Sequence, residues 1–155
     1  MPDPAPTIRK ASVADGPAIQ RLVNAFARAD LMLPRALSEV YEHIRDFSVV
    51  EADGAVVGCV ALAVTWGDLG EVRSLAVEVD HQGDGLGRRL VETCLEEARE
   101  MGLPRLFTLT YIPDFFKRFD FRLVEKSDLP HKVWGDCIKC HHFPDCDEVA
   151  LALDL

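Results

Sequence analysis

The chain has 155 residues, 48% hydrophobic and 28% charged, which predicts one globular domain over residues 1–155 with a proper core. Its net charge of −9 disfavours nucleic-acid binding, because phosphate contacts need a basic face. No apolar run is long enough to span a bilayer, and the N-terminus lacks the basic and apolar regions of a signal peptide. We therefore expect a cytoplasmic protein with no membrane partner.

Hydrophobic periodicity predicts eleven elements in the order β-α-α-β-β-β-α-β-α-β-β. The predicted strands lie at 7–10, 47–51, 56–65, 71–79, 106–110, 121–124 and 149–153. The predicted helices begin near Ser12 or Asp15 and lie at 35–45, 86–101 and 114–118. The Asp53–Gly54 pair between two apolar runs is a strong hairpin signal. This order predicts an α+β fold, with a mixed, mostly antiparallel sheet flanked by helices.

A glycine-rich turn, Gln82-Gly83-Asp84-Gly85-Leu86-Gly87, joins the strand at 71–79 to the helix at 86–101. Such a turn lets backbone N–H groups approach a phosphate, and the helix adds its positive N-terminal end. Arg88 and Arg89 oppose the helix dipole, a local cost that pairing with a pyrophosphate would offset. The spacing differs from the dinucleotide fingerprint, which disfavours a Rossmann domain. The alternative is a turn whose glycines serve geometry only.

Two motifs carry a resemblance to a known family. Residues 75–90 read LAVEVDHQGDGLGRRL and resemble the coenzyme A-binding motif of the GNAT acetyltransferase superfamily. Residues 115–121 read FFKRFDF and resemble its second motif, with Phe116 in place of a Tyr and Asp120 in place of a Gly. The stretch 71–77 and the tail from 129 resemble the short amino-acid N-acetyltransferases of arginine biosynthesis, which are similar to the acetyltransferase domain of N-acetylglutamate synthase.

The resemblance implies the GNAT fold and acetyl-coenzyme A as co-substrate. It also implies direct attack of the acceptor amine on the thioester. The implied cofactor-binding residues are Leu75, Ala76, Val77, Gln82, Gly83, Asp84, Gly85, Leu86, Gly87, Arg88 and Phe116.

Three residues are the candidate catalytic groups. Glu71 is the expected base, acting through water, unless it is only a solvated charge at a strand end. The backbone N–H of Val77 is the expected oxyanion donor. The usual Tyr acid aligns with Phe116, which has no proton to give. Tyr111 is a candidate substitute, unless it simply packs at a strand end.

Two cations are candidate ligands of a substrate carboxylate. Strand alternation places Glu71, Arg73 and Leu75 on one face, so Arg73 would lie beside the base. An ion pair between Arg73 and an acid is the alternative. Lys132 in the C-terminal tail is the second candidate, with a solvated surface Lys as its alternative.

Three of the five cysteines, Cys137, Cys140 and Cys146, cluster near the C-terminus beside several histidines. They could hold zinc, form a redox-labile thiol pair or pack as buried thiols, and the spacing leaves these options open. Cys59 and Cys94 lie in apolar patterns and are predicted core residues.

The sequence therefore predicts an N-acetyltransferase for the α-amine of an amino acid, with L-glutamate as the first candidate. The open alternatives are a peptide N-terminus, another small amine, or a coenzyme A-binding module without catalysis. The oligomeric state is also open, a homodimer being one option.

Overall fold

The computed structural model describes residues 5–29, 32, 34–129 and 148–155. In this part of the chain the strands are β1 Thr7–Lys10, β2 Phe47–Ala52, β3 Ala55–Trp66, β4 Leu69–Val77, β5 Arg105–Thr110, β6 Arg122–Val124 and β7 Val149–Asp154. The α-helices are α1 Gly16–Arg28, α2 Leu37–Glu42, α3 Leu86–Met101 and α4 Pro113–Lys117. The predicted order of elements is confirmed.

Two predicted boundaries were wrong. The helix predicted at 35–45 is shorter, because His43 leaves helical geometry and a separate 3₁₀ turn, Ile44–Asp46, follows. The strand predicted at 71–79 ends at Val77. There the Glu78 N–H donates to the Val57 carbonyl, and the chain then turns into the 3₁₀ helix Val79–His81.

The described strands form a mixed sheet in the order β1-β2-β3-β4-β5-β7-β6. The β1–β2, β2–β3, β5–β7 and β6–β7 pairs are antiparallel, whereas β4 and β5 are parallel. The parallel pair needs a long crossover, which α3 supplies. This arrangement confirms the predicted α+β fold with helices flanking a mixed sheet.

The chain divides into two compact units, which we describe separately. The first contains the described residues of Met1–Leu62 and Val72–Glu97. Its core joins α1 and α2 to one face of β2, β3 and β4, and its buried members are Ile19, Leu22, Val23, Val40, Phe47, Val49, Val56, Cys59, Ala61 and Ala76. The β2–β3 hairpin turns at Asp53 and Gly54, which have φ of 53° and 78°. Positive φ at both positions is typical of a type I′ turn, so the predicted hairpin is confirmed.

A partly buried ion pair holds the start of α1 in the first unit. The Arg9 guanidinium donates to both carboxylate oxygens of Asp15 at 2.7 and 3.0 Å, and Asp15 is 6% exposed. The same carboxylate accepts a hydrogen bond from the Ser12 backbone N–H. These bonds favour the charged form, so the pKa of Asp15 falls to about 2.

Helix α3 has the apolar face that the sequence predicts. Its buried positions are Leu86, Leu90, Val91, Cys94, Leu95 and Ala98. The helix ends at Gly102, whose φ of 78° lets the Leu103 N–H bond back to the Ala98 carbonyl. Burial raises the pKa of the Cys94 thiol to about 12, which agrees with its prediction as a core residue.

The second unit contains the described residues of Ala63–Glu71 and Ala98–Leu155. Strand β7 lies between β5 and β6, with Thr110 opposite Val149 and Leu123 opposite Leu151. Its core cluster consists of Leu69, Phe107, Leu129 and Ala150, with Leu109 and Val124 packed against it. Among the described residues, no helix has the length and apolar character needed to cross a membrane. The single domain over 1–155 stays a prediction.

Candidate active site

The glycine-rich turn of the first unit is exposed and built from left-handed backbone. Gly83 and Gly85 have φ of 91° and 79°, a conformation that other residues rarely adopt. A Cβ at either position would meet nothing within 4 Å. Glycine is therefore favoured here because the backbone is left-handed, and not because a neighbouring group leaves no room for a side chain. Asp84 between them is exposed as well. The turn therefore leaves open room above its backbone.

The N-terminal end of α3 follows this turn directly. The Arg89 N–H donates to the Gly85 carbonyl, and earlier N–H groups have no carbonyl one turn back within the helix. Leu86 is 2% exposed, so only its backbone can face a ligand, and Gly87 in the next position has no side chain. This end of α3 is thus suited to an anion such as a pyrophosphate.

Two arginines follow in the first turn of α3. The Arg88 guanidinium pairs with Glu92 at 2.9 Å, and its side chain is 74% exposed. An exposed pair of this kind contributes little, so Arg88 can exchange it for a phosphate. Arg89 donates to the Pro6 carbonyl at 3.2 Å. Arg88 is therefore the better placed of the two for a cofactor.

The side chain of Gln82 ties the turn to the end of β4. Its Nε2 donates to the Val77 carbonyl at 2.9 Å. Leu75 is half-buried, whereas Ala76 and Val77 are 1% and 7% exposed. Ala76 and Val77 can therefore offer a cofactor mainly their backbone groups.

Strand β4 contains a left-handed residue that the sequence did not reveal. Ser74 has φ of 57°, which is uncommon for a residue other than glycine and typical of a β-bulge. Glu71 and Arg73 are half-buried and Val72 between them is buried, as the predicted alternation requires. Ser74 interrupts this alternation, because it is half-buried where the pattern requires a buried residue. Leu75 is half-buried like Glu71 and Arg73, and its place on their face stays a prediction.

The direction of the Val77 N–H follows from its neighbours. The Glu78 N–H donates to the Val57 carbonyl in β3 at 2.8 Å. Successive N–H groups of an extended strand point to opposite edges. The Val77 N–H therefore points away from β3.

The predicted groups of the second unit lie on different elements. Glu71 is half-buried in β4, opposite Phe107 of β5 in the parallel pair. Tyr111 is half-buried directly after β5. Phe116 in α4 is 3% exposed, and its ring packs edge-on against Phe115 and Phe121, with ring centroids 5.2 and 5.6 Å apart. The roles of Glu71, Tyr111 and Phe116 stay predictions.

The altered second motif has left-handed backbone at its changed position. Asp120, which stands where the family pattern has glycine, has φ of 70°. Asp tolerates the left-handed region better than most residues. The predicted substrate ligand Lys132 and the thiols Cys137, Cys140 and Cys146 lie outside the described residues.

Comparison with known proteins identifies the family. A model of the acetyltransferase (GNAT) family matches residues 19–121. The chain belongs to the acetyltransferase (GNAT) family. The predicted enzyme class, an N-acetyltransferase, is therefore confirmed.

The chain is also similar to three individual proteins. An uncharacterized N-acetyltransferase of Chlorobaculum tepidum is 39% identical over all of both chains. An amino-acid acetyltransferase of Mycobacterium tuberculosis is 37% identical, covering 90% of this chain and 81% of that protein. The structure of N-acetylglutamate synthase from Neisseria gonorrhoeae, solved with coenzyme A and N-acetyl-glutamate, superposes with a TM-score of 0.88 at 29% identity. That match covers 99% of this chain and 36% of the synthase.

Proposed function

We propose that this N-acetyltransferase moves the acetyl group of acetyl-coenzyme A to the α-amine of an amino acid, with L-glutamate preferred. This reaction would place it at the N-acetylglutamate step of arginine biosynthesis. The similar proteins that act on amino acids or were solved with N-acetyl-glutamate support the proposal. The observation that carries it is a half-buried cation, Arg73, two positions after the proposed base Glu71 on β4.

The cofactor would be held mainly by backbone. The open N-terminal end of α3 and the left-handed glycines at 83 and 85 would receive the pyrophosphate. Arg88 would add a charge by leaving its exposed pair with Glu92. The pantetheine arm would pair with the end of β4 in the manner of an added strand. The Neisseria synthase was solved with coenzyme A, which supports a coenzyme A thioester as the co-substrate.

The chemical step would begin with loss of a proton from the substrate ammonium group. Glu71 would take this proton through a water molecule. The free amine then attacks the thioester carbonyl, so a C–N bond forms while the carbonyl oxygen gains the negative charge. The Val77 N–H, which points away from β3, would donate to that oxyanion.

The nitrogen of the tetrahedral intermediate then loses its extra proton to water, the carbonyl re-forms, and the C–S bond breaks to release coenzyme A as a thiolate. Tyr111 is the candidate donor of a proton to the sulfur. A strong acid is not required, because a thiol has a pKa of about 8.5 and its thiolate leaves readily near neutral pH. The replacement of the family Tyr by Phe116 is therefore compatible with turnover.

Substrate choice would rest on local charge. With a net charge of −9, the whole protein does not attract a carboxylate, so a specific cation must hold it. An Arg presents a planar fork that matches a carboxylate through two parallel hydrogen bonds. Arg73 would hold one carboxylate of glutamate and Lys132 the other.

The test is an acceptor screen that follows thiol release from acetyl-coenzyme A. The panel contains glutamate, glutamine, aspartate, leucine, a short peptide and an alkylamine without a carboxylate. Losing a desolvated Arg–carboxylate pair costs about 2–5 kcal/mol, so Arg73→Ala should raise the KM for glutamate roughly 30-fold or more. The KM for acetyl-coenzyme A should stay unchanged.

The matched control is Arg99→Ala, which removes the same charge from an exposed position in the last turn of α3. It should leave both KM values unchanged. Equal activity on glutamate and on the alkylamine would contradict the amino-acid acceptor and favour a peptide or other amine. Tight binding of coenzyme A without turnover of any acceptor would favour a non-catalytic module.

A further inference from the structure

The left-handed backbone at Ser74 lies directly before the residues proposed to hold the thioester. For a residue with a Cβ this conformation is costly and persists only where the surrounding structure enforces it. The enforcing contact must act on the peptide groups around Ser74. In the first unit, the side chain that bonds to them is Cys59 of β3.

Cys59 contacts β4 on both sides of Leu75. Its Sγ–H donates to the Ser74 carbonyl at 3.4 Å. Burial raises the pKa of the thiol, and the nearby Ala76 N–H opposes that rise. One side chain thus lies against the peptide groups before and after Leu75.

The surroundings keep this thiol in place and protonated. Cys59 is 0% exposed and packs in the core cluster that also contains Ala76. Burial raises the pKa of the thiol to about 12, so it remains an S–H donor at neutral pH. The adjacent residue in β3, Gly58, lets Ala76 and Val77 approach closely, because a Cβ there would lie 3.3 Å from the Ala76 oxygen and from the Val77 Cγ2.

We infer that Cys59 is a positioning residue: its thiol holds Ser74 left-handed and thereby sets the direction of the Val77 N–H. The inference rests on the proposed use of that N–H as the oxyanion donor. A bulge re-aims the backbone beyond it, so releasing Ser74 would rotate the peptide groups that follow. Such rotation weakens an interaction made in the transition state, so it lowers kcat. It also disturbs the peptide groups proposed to pair with the pantetheine arm, so the KM for acetyl-coenzyme A should rise as well.

The experiment is a double-mutant cycle between Cys59→Ala and Ser74→Gly. Misplacing a catalytic group by a fraction of an ångström costs roughly 10-fold, so Cys59→Ala should lower kcat by about that factor. The KM for acetyl-coenzyme A should rise by a smaller factor than kcat falls, because the proposed phosphate contacts of the glycine-rich turn remain. Glycine adopts a positive φ without strain, so the Cys59→Ala loss should fall below about 3-fold in the Ser74→Gly background. Cys59→Ser, which keeps a donor, should recover most of the rate.

The matched control is Cys94→Ala, which removes an equally buried thiol from α3. It should lower the melting temperature without changing kcat. An unchanged kcat in Cys59→Ala, or an equal loss in both backgrounds, would overturn the inference, because the thiol would then only fill the core. If Cys59→Ala does not fold, Cys59→Val fills the space without a donor and takes its place in the cycle.

Melting temperatures of the four proteins in the cycle (the wild type, Cys59→Ala, Ser74→Gly and the double variant) separate this inference from the proposed function. The drop caused by Cys59→Ala should be at least halved in the Ser74→Gly background. If the wild type acetylates no acceptor, the proposed function fails, and the stability cycle still decides whether Cys59 holds Ser74. Equal drops in both backgrounds would refute that contact.

Discussion

The glycine-rich turn at 82–87 and the stretch Ser74–Val77 both use left-handed backbone, but they are stabilised in opposite ways. Gly83 and Gly85 are exposed, and a Cβ on either would meet nothing within 4 Å. Ser74 is half-buried, carries a Cβ and depends on the thiol of Cys59. The turn gets its shape from residue type alone, whereas the strand gets its shape from tertiary contacts.

This difference has a functional consequence. A locally shaped turn can hold a phosphate while the rest of the unit changes little, so substitutions there should act on cofactor affinity. A strand shaped by its neighbours transmits changes in the core to the groups beside the thioester. Substitutions that reach Ser74–Val77 should therefore act on stability and on the chemical step together.

The largest expected effect is at the start of the same strand. Glu71→Gln removes the proposed base, so kcat should fall by about 10²-fold with little change in the KM for acetyl-coenzyme A. Steady-state kinetics across pH would check this. The control Glu100→Gln removes an exposed carboxylate of α3 and should have no effect. An unchanged rate at all pH values would remove Glu71 from the mechanism and leave β4 with a binding role.

The second prediction tests the tertiary support of the strand. A Cβ at Gly58 would lie 2.7 Å from Val50 Cγ1 and would press on Ala76 and Val77. Gly58→Ala should therefore lower the free energy of unfolding by about 1–3 kcal/mol and also reduce kcat. Gly67→Ala is the control, because a Cβ there meets nothing within 4 Å and its φ is not left-handed. Full stability in Gly58→Ala would show that the strand has more freedom than its contacts indicate.

Tertiary support of another kind, the Arg9–Asp15 pair, should respond to pH. The pKa of Asp15 is lowered to about 2 by its bonds to Arg9. The contribution of the pair to the free energy of unfolding is therefore complete above the ordinary pKa near 4, and it is lost as the pH falls towards 2. The expected loss between pH 6 and pH 3 is about 1 kcal/mol, roughly half of the full contribution of about 2 kcal/mol. Urea unfolding at pH 6 and pH 3 would measure it. The free energy of unfolding of Asp15→Asn should fall less between pH 6 and pH 3 than that of the wild type. An equal fall in both proteins would show that Asp15 is not the group responsible.

The fourth prediction tests the turn. Gly85→Leu places a side chain in the open space above the proposed phosphate site and should weaken coenzyme A binding roughly 10-fold or more, measured by calorimetry. The control is Gly54→Leu, in the exposed hairpin turn, where φ is also 78° and a Cβ also meets nothing. Both variants carry similar backbone strain, so equal affinities in the two would refute the phosphate role.

The sequence predicted those features whose cause is local. The Asp53–Gly54 hairpin, the buried face of α3 and the glycine turn follow from residue type and periodicity, and the structure shows all three. Ser74 had no such signal, because serine in an apolar strand gives no sign of positive φ and the cause lies in β3. The same limit explains why strict alternation did not predict the interruption of the burial pattern at Ser74. The roles of Glu71, Arg73 and Tyr111 depend on bound substrate and remain predictions.

The smallest expected effect concerns Asp120, a second left-handed residue without glycine. Its φ of 70° at the end of α4 costs an ordinary residue about 1–2 kcal/mol, and Asp less, because its short side chain tolerates this region. Asp120→Gly removes the strain but adds freedom to the unfolded chain, so stability should rise by only about 0.5 kcal/mol. Alanine lacks both the tolerance of Asp and the freedom of Gly in the left-handed region, so Asp120→Ala should lower the free energy of unfolding by about 1 kcal/mol. Thermal unfolding of the three proteins should rank them Gly, Asp, Ala, with kcat unchanged throughout. If Asp120→Ala were as stable as the wild type, α4 would have to end in another conformation, and left-handed backbone in this family would then be less dependent on residue type than the glycine turn suggests.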